Sequence, residues 1–325
     1  MKLGYDTPLY LLPFDHRQSY VSGMFGFRPP LTPEQRDAII DSKRLIYEGF
    51  EEAVDNGVPA SRAGILVDEE FSTAVLRDAV RDGYVTALAV EKSGSNEFEF
   101  EYGNEFPRHI EAFRPTFAKV LVRYNPEGDI ALNGRQVARL RQLTNYCRQC
   151  AQRFMFELLV PATAEQMVQV QADKAAYDLQ LRPALMRGAI RALQDAGIEP
   201  DVWKIEGFDS GGHYEQLVDL MRRNGRRQVG CIVLGRGADE HKVVNWLETA
   251  APVPGLIGFA VGRTTFRDAI ADFGKKKMSR QQAISRIAGQ YAEWVEVFER
   301  ASAHNTNTNN TTSGHGDAGT HGATS

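Results

Sequence analysis

Cysteine is scarce in this chain of 325 residues, with three in all. Cys147 and Cys150 form a CxxC, but it falls in a helical stretch with no second ligand pair, whereas a structural zinc site usually has four ligands. Cys231 reads as a small core residue on a strand. The expectation is therefore no metal and no redox centre. Long apolar runs are missing too: none approaches membrane-spanning length, and no signal-peptide pattern opens the chain. That points away from a membrane and towards the cytoplasm. Nor is one charge in surplus. The 38 basic and 42 acidic residues leave a net charge of −4, which implies no nucleic-acid or other polyanionic partner, although a local basic site stays open.

What is present is ordinary globular composition, 42% hydrophobic and 25% charged. The length fits two domains at most, or one α/β barrel of about 250 residues. Short apolar runs recur along the chain. They read as strands over residues 9–14, 63–67, 85–90, 117–122, 154–160, 202–206, 230–234 and 256–261. Helical patterns separate them. One opens with Thr32 as N-cap and Pro33 at the first helical position and stops near Asn56-Gly57. Another repeats Val137, Leu140, Leu143 and Cys147 at helical spacing, and a last one carries an apolar face over residues 280–300. Eight strands alternating with helices predict a single-domain (β/α)8 barrel over residues 1–302. A doubly wound sheet is the alternative, and it should carry a glycine-rich turn after an early strand. The residues after the first strand are instead Asp15-His16-Arg17-Gln18. Residues 303–325 are polar, rich in Asn, Thr, Gly and Ser, and are expected to be a disordered tail.

The run Asp201-Val202-Trp203-Lys204-Ile205-Glu206-Gly207 is unusual. Strand alternation puts Trp203 and Ile205 on one face and Val202, Lys204 and Glu206 on the other. The second face faces the sheet interior, where Lys and Glu are rare unless paired or used. An amine whose charged form is disfavoured becomes a nucleophile toward carbonyls. Lys204 thus reads either as a Schiff-base lysine or as half of a structural ion pair.

Other strands offer ionisable residues where a barrel places its chemistry, at or near their carboxyl ends. Asp15 and Arg17 follow the first strand, and Lys92 follows the third. Lys119, with Leu121 and Arg123, shares a face of the fourth, and Glu157 lies on the fifth. Gly235-Arg236-Gly237 follows the seventh and Gly262-Arg263 the eighth. These last two turns suit a phosphate, since barrels commonly hold one there and glycine lets backbone N–H groups approach. The Asp68-Glu69-Glu70 cluster has no nearby His and reads as a hydrogen-bonded mouth rather than a metal site.

Taken together, LYLLPFDHR (9–17), ILVDEEF (65–71), AVEKSG (89–94), FAKVLVRYNPEGD (117–129), FMFELLVPA (154–162), DVWKIEG (201–207), CIVLGRGADE (231–240) and IGFAVGRTTF (257–266) resemble the class I, Schiff-base aldolase superfamily. The chain is most similar there to the 2-deoxy-5-keto-gluconate 6-phosphate aldolases of inositol catabolism, without the sugar-kinase domain often fused to them. The resemblance implies that Lys204 is the Schiff-base lysine, Glu157 the acid/base carboxylate, Lys119 the assisting lysine, and Asp15 the carboxylate that handles the hydroxyl proton. It also implies phosphate contacts from Gly235, Gly262 and Arg263, with Gly237 and Arg236 beside them, and substrate contacts from Lys92, with Arg17 or Arg123 for a carboxylate. It calls for no cofactor, for a phosphorylated keto-sugar acid as the small-molecule partner, and for a possible homo-oligomer. Two other readings stand beside it. One is another aldolase of the superfamily, acting on a ketohexose bisphosphate or a sulfosugar phosphate; the other is a barrel that binds a sugar phosphate without chemistry.

Overall fold

The computed structural model describes residues 2–312, with side chains to residue 303. Its eight parallel strands close into a barrel in sequence order: β1 (Leu9–Pro13), β2 (Ala63–Val67), β3 (Val85–Ala89), β4 (Phe117–Arg123), β5 (Arg153–Leu159), β6 (Val202–Glu206), β7 (Gly230–Leu234) and β8 (Leu256–Ala260). Helices cover the outside, so each strand meets apolar surroundings on both faces, which is why these runs are almost continuously apolar. Five of the eight, β1, β2, β6, β7 and β8, are buried at every position.

Ten helices join the early and late strands: α1 (Gln18–Met24), α2 (Pro33–Asp55), α3 (Glu69–Arg81), α4 (Phe106–Phe113), α5 (Ile130–Gln149), α8 (Arg182–Asp195), α9 (Gly211–Arg222), α10 (Glu240–Ala250), α11 (Arg263–Gly274) and α12 (Arg280–Thr312). Between β5 and α8 the chain makes α6 (Ala164–Gln169), a single turn α7 (Lys174–Ala176) and a π-helical stretch Tyr177–Leu181. The start of α2 has the expected Thr32 N-cap and Pro33 in its first turn, and Gln35, returning the hydrogen bond, completes a capping box.

Two helices depart from the sequence reading. Residues 18–24 and 263–274, where the sequence reading named no helix, are both helical. The Gly-Arg-Thr-Thr run conceals the second, because threonine is a weak helix former. Here Thr265 Oγ1 donates to Val261 O at 2.8 Å and Thr264 Oγ1 to Ala238 O at 2.8 Å, so both hydroxyls are satisfied in the first turn. The last helix also runs past Arg300 to Thr312. The rest of the polar tail expected over residues 303–325 lies outside the described residues. Among the described residues no helix is long and apolar enough to cross a membrane.

The barrel interior is packed at its amino end. Leu11, Leu66, Phe117, Met155, Val202 and Ile232 form a closed apolar floor. The chain's first residues seal it from below. Tyr5 packs edge-on against Phe117 at 5.1 Å, and the Asp201 carboxylate accepts from Gly4 N and Phe154 N, each at 2.8 Å. Trp203 and Ile205 point the other way, into the larger core beneath the helices, as strand alternation predicts.

Candidate active site

Above the floor, side chains turn from apolar to ionic within one strand step. Register places Glu157 of β5 beside Lys204 of β6, while Lys119 of β4 aligns one step lower, with Met155. The long Lys119 stem therefore rises from the deeper layer to meet the upper one. Lys204 Nζ lies 2.7 Å from Glu157 Oε1, and Lys119 Nζ lies 2.9 Å from Glu157 Oε2. One carboxylate on β5 thus bridges the two lysines on the strands either side of it, β4 and β6.

Lys119 is fully buried and its ammonium has three carboxylate partners. Besides Glu157 it donates to Asp15 Oδ2 at 2.7 Å and to Glu91 Oε1 at 2.8 Å. Burial alone would push its pKa down, but three carboxylates outweigh burial and hold it well above the usual lysine value. The carboxylates divide in response. Burial pushes each upward. For Asp15 the Lys119 ammonium, with His16 and Lys204, prevails and holds the carboxyl well below the ordinary range. Glu157, facing both lysines, is also lowered. Glu91 is raised, because burial exceeds what Lys119 and Arg17 return.

The turn after β1 is fixed from behind. Lys43, fully buried on α2, donates to His16 O at 3.0 Å and pairs with Asp68, whose other oxygen caps α3 by accepting from Phe71 N at 2.8 Å. Of the three acids after β2, Asp68 thus pairs with a lysine that helical periodicity hides and Glu70 with Arg36 at 3.2 Å, while Glu69 meets His109 at 2.8 Å, so a histidine distant in sequence does stand beside the cluster. His16 itself points into the cavity. Burial, with Arg263 and Lys204 nearby, pushes its pKa down to about 4 against the pull of Asp15, so its ring is neutral. Arg17 donates to Glu101 Oε2 at 2.6 Å and to Glu91 O at 2.5 Å, which ties the β1 turn to the segment after β3.

Asp15, His16, Arg17, Glu91, Glu157 and Lys204 line a cavity of about 490 Å³ at the carboxyl end of the barrel, with the Lys119 ammonium directly behind their carboxylates. Its far wall is built by the two Gly-Arg turns. Arg236 sits in the left-handed region at φ 53°, with its guanidinium held by Asp178 at 2.7 Å and by Glu206 at 3.1 Å. Glu206, whose role the sequence left open, thus serves Arg236 and accepts from Val160 N at 3.1 Å. Arg263 donates to Arg236 O at 3.0 Å. Gly237, at φ 71°, leaves room for that guanidinium: a Cβ there would stand 2.8 Å from its central carbon. At Gly262 a Cβ would stand 2.1 Å from Pro13 O. Gly262 is also the N-cap of α11 and supplies no side-chain cap, so the helix presents uncapped first-turn N–H groups beside Arg263, a ready anion site.

Across the mouth, Arg123 donates one hydrogen bond to Ser95 O at 3.1 Å. Lys92 is largely exposed and loosely paired with Glu99 at 3.5 Å. Among the described residues that line the cavity, Arg123 and Arg263 are the two arginines with no carboxylate partner. They stand on β4 and after β8, four strands apart in either direction around the ring, hence on opposite sides.

Asp15, Lys119, Glu157 and Lys204 are therefore brought into one cluster, and Arg17, Lys92, Arg123, Gly235, Arg236, Gly237, Gly262 and Arg263 all border the same cavity. Sequence reasoning passed over Glu91 as a site residue. It had a signal: an acid directly after an apolar strand, next to the lysine that was chosen. Lys43 had none, since a lysine in a helix is normally solvated.

Three solved structures share this architecture. Cgl0159 from Corynebacterium glutamicum is 14% identical, with a TM-score of 0.52, over 90% of this chain and 88% of that one. An archaeal fructose 1,6-bisphosphate aldolase is 13% identical, with a TM-score of 0.52, over 89% and 95% of the two chains. The YdjI aldolase from Escherichia coli K12 is 10% identical, with a TM-score of 0.50, over 78% and 87%. At such identities the likeness is one of fold. No curated protein matches the sequence. A family model described as "Uncharacterized protein conserved in bacteria (DUF2090)" matches residues 5–302.

Proposed function

The chain belongs to that bacterial family, DUF2090, and from the chemistry of its site we propose that it is a class I aldolase that cleaves 2-deoxy-5-keto-gluconate 6-phosphate. The observation that carries the reading is the buried bridge from Lys204 through Glu157 to Lys119 and Asp15, at 2.7, 2.9 and 2.7 Å. It gives an amine at the wall of a cavity, a carboxylate in contact with that amine, and a second cation that keeps Asp15 and Glu157 ionised. The likeness in fold to two aldolases is consistent with it.

In this mechanism Lys204, in its neutral form, adds to the substrate ketone next to the phosphorylated carbon. Loss of water leaves a protonated imine, which accepts the electron pair of the carbon–carbon bond one position away. Glu157, touching the Lys204 nitrogen, moves protons in the carbinolamine steps. Asp15 takes the proton of the hydroxyl that becomes the aldehyde. Malonate semialdehyde leaves, the enamine is reprotonated at carbon, and hydrolysis releases dihydroxyacetone phosphate and free Lys204.

The two ends of the cavity differ in a way that favours a keto-acid phosphate over a bisphosphate. The β8 side offers Arg263, two glycine turns and the open start of α11, enough for a dianionic phosphate. The β4 side offers Arg123, with the largely exposed Lys92 beside it, and no open helix start, because the next helix, α5, is already capped by Asp129, which accepts from Ala131 N and Leu132 N at 2.8 and 3.0 Å. One guanidinium matches one carboxylate.

Borohydride reduction in the presence of the keto-acid phosphate, followed by peptide mass spectrometry, tests both parts. The expected result is an adduct of the dihydroxyacetone phosphate half on Lys204, absent in Lys204→Ala. An adduct on another lysine, or full cleavage activity in Lys204→Ala, refutes the mechanism. Equal trapping by a ketohexose bisphosphate refutes the substrate assignment alone.

A further inference from the structure

An ammonium has three N–H donors. In Lys119 all three meet carboxylates, those of Asp15, Glu91 and Glu157 at 2.7, 2.8 and 2.9 Å. Lys119 thus has no donor left for a substrate oxygen while the site is at rest. A lysine that assists a reaction must recover one, so one of its three partners must yield.

The partners are not equally able to do so. Glu157 also holds Lys204 at 2.7 Å, and Asp15 sits on the turn that Lys43 fixes through His16 O. Glu91 has neither tie on its side chain. Its Oε1 touches only Lys119, and its Oε2 is buried with no hydrogen-bond partner. Two more buried atoms without partners, His16 Nδ1 and Arg17 Nε, belong to side chains that line the same cavity. A buried ionised carboxylate with one orphan oxygen is costly, while a protonated one is cheaper and binds an ammonium more weakly. The charged groups facing Glu91 are Lys119 from β4, Asp15 and Arg17 from the β1 turn, and Glu101, which reaches it through Arg17. Burial outweighs the two cations among them, so the proton-bound form of Glu91 persists above the ordinary carboxyl range.

We propose that Glu91 is a positioning residue that occupies the third donor of Lys119 in the resting site and is displaced from it by a substrate oxygen. The proposal rests on the retro-aldol reading of this site. Neutral Glu91 yields easily, whereas ionised Glu91 grips Lys119. Substrate affinity should therefore fall as pH rises through the Glu91 ionisation.

Glu91→Gln keeps the shape and an oxygen for Lys119 but removes the charge. The expected result is a KM roughly five- to tenfold lower than wild type on the alkaline side, about the difference between a charge-assisted and a neutral hydrogen bond. Its KM profile should also be flat where the wild type rises. Infrared spectra of the wild type should contain a protonated-carboxyl C=O band that titrates with the KM profile and is missing in Glu91→Gln. A KM profile in Glu91→Gln that matches wild type refutes the proposal, as does a wild type without that band. Borohydride trapping on Lys204 of wild type runs alongside. If the wild type forms no adduct, the aldolase reading fails; if it does and the profiles coincide, the Glu91 assignment alone fails.

Discussion

Replacing Lys119 with methionine removes the one cation shared by three buried carboxylates. Asp15, Glu91 and Glu157 would then face one another at the base of the cavity, with Lys204 left to balance Glu157 alone. Removing one partner of a buried ion pair typically destabilises by about 3–5 kcal/mol. A domain is held together by only about 5–15 kcal/mol, so the variant should be visibly weakened yet still fold. The pH dependence identifies the cause. In the wild type Asp15 and Glu157 have lowered pKa values, so their contribution is present above the ordinary carboxyl range and lost as pH falls. Without Lys119, burial dominates and the carboxyls are raised. Their protonated forms are tolerated at low pH, and stability is lost as pH rises through the raised values. The gap between wild type and Lys119→Met should therefore be small near pH 4–5 and widen to several kcal/mol by about pH 8. Urea midpoints measured across that range give the curve. Adding Glu91→Gln should recover part of the loss by removing one of the three charges. A gap that stays constant with pH would refute the electrostatic account and leave only lost packing.

Two shorter predictions follow from the same geometry. Arg263→Ala should raise KM by about 10- to 100-fold for any phosphorylated substrate, whereas Arg123→Ala should do so only for substrates with a carboxylate at the far end; the steady-state kinetics of paired acid and amide analogues separate them. His16, with its pKa pushed down to about 4, resists a proton that the unfolded chain accepts near 6.5. Stability should consequently fall as pH drops from about 7 to 4, by up to about 2–3 kcal/mol, and His16→Gln should remove that part of the slope in a pH series of thermal melts.

The barrel was readable because its determinants are local. Eight short apolar runs separated by helical patterns have few other solutions, and the alternation that put Lys204 inward needs only its neighbours. Lys119 and Glu157 stood out for the same reason, as charges on strands that should carry none, and Asp15 as an acid in the turn directly after one. What escaped was whatever depends on reach between elements. Nothing local tells that Lys43 crosses from α2 to hold His16 O, or that Arg17 turns to Glu101 and the Glu91 carbonyl. Helix α11 was hidden by its threonines, of which Thr265 bonds Val261 O four residues back while Thr264 finds Ala238 O only once β7 and β8 stand side by side. Glu91 had the right address, but its importance is set by a lysine on the adjacent strand whose ammonium it reaches.

The sealed floor of the barrel makes the site a vessel with one opening. Leu11, Phe117 and Met155 block any passage downward, and Tyr5 and Asp201 lock the first residues of the chain beneath them. Under the proposed chemistry one fragment stays tethered to Lys204 while the other floats free, and the water that must cut the tether has to come in by the same mouth the free fragment leaves through. Exit and entry in such a vessel share one route, so release of the aldehyde and hydrolysis of the tether are coupled through the same mouth.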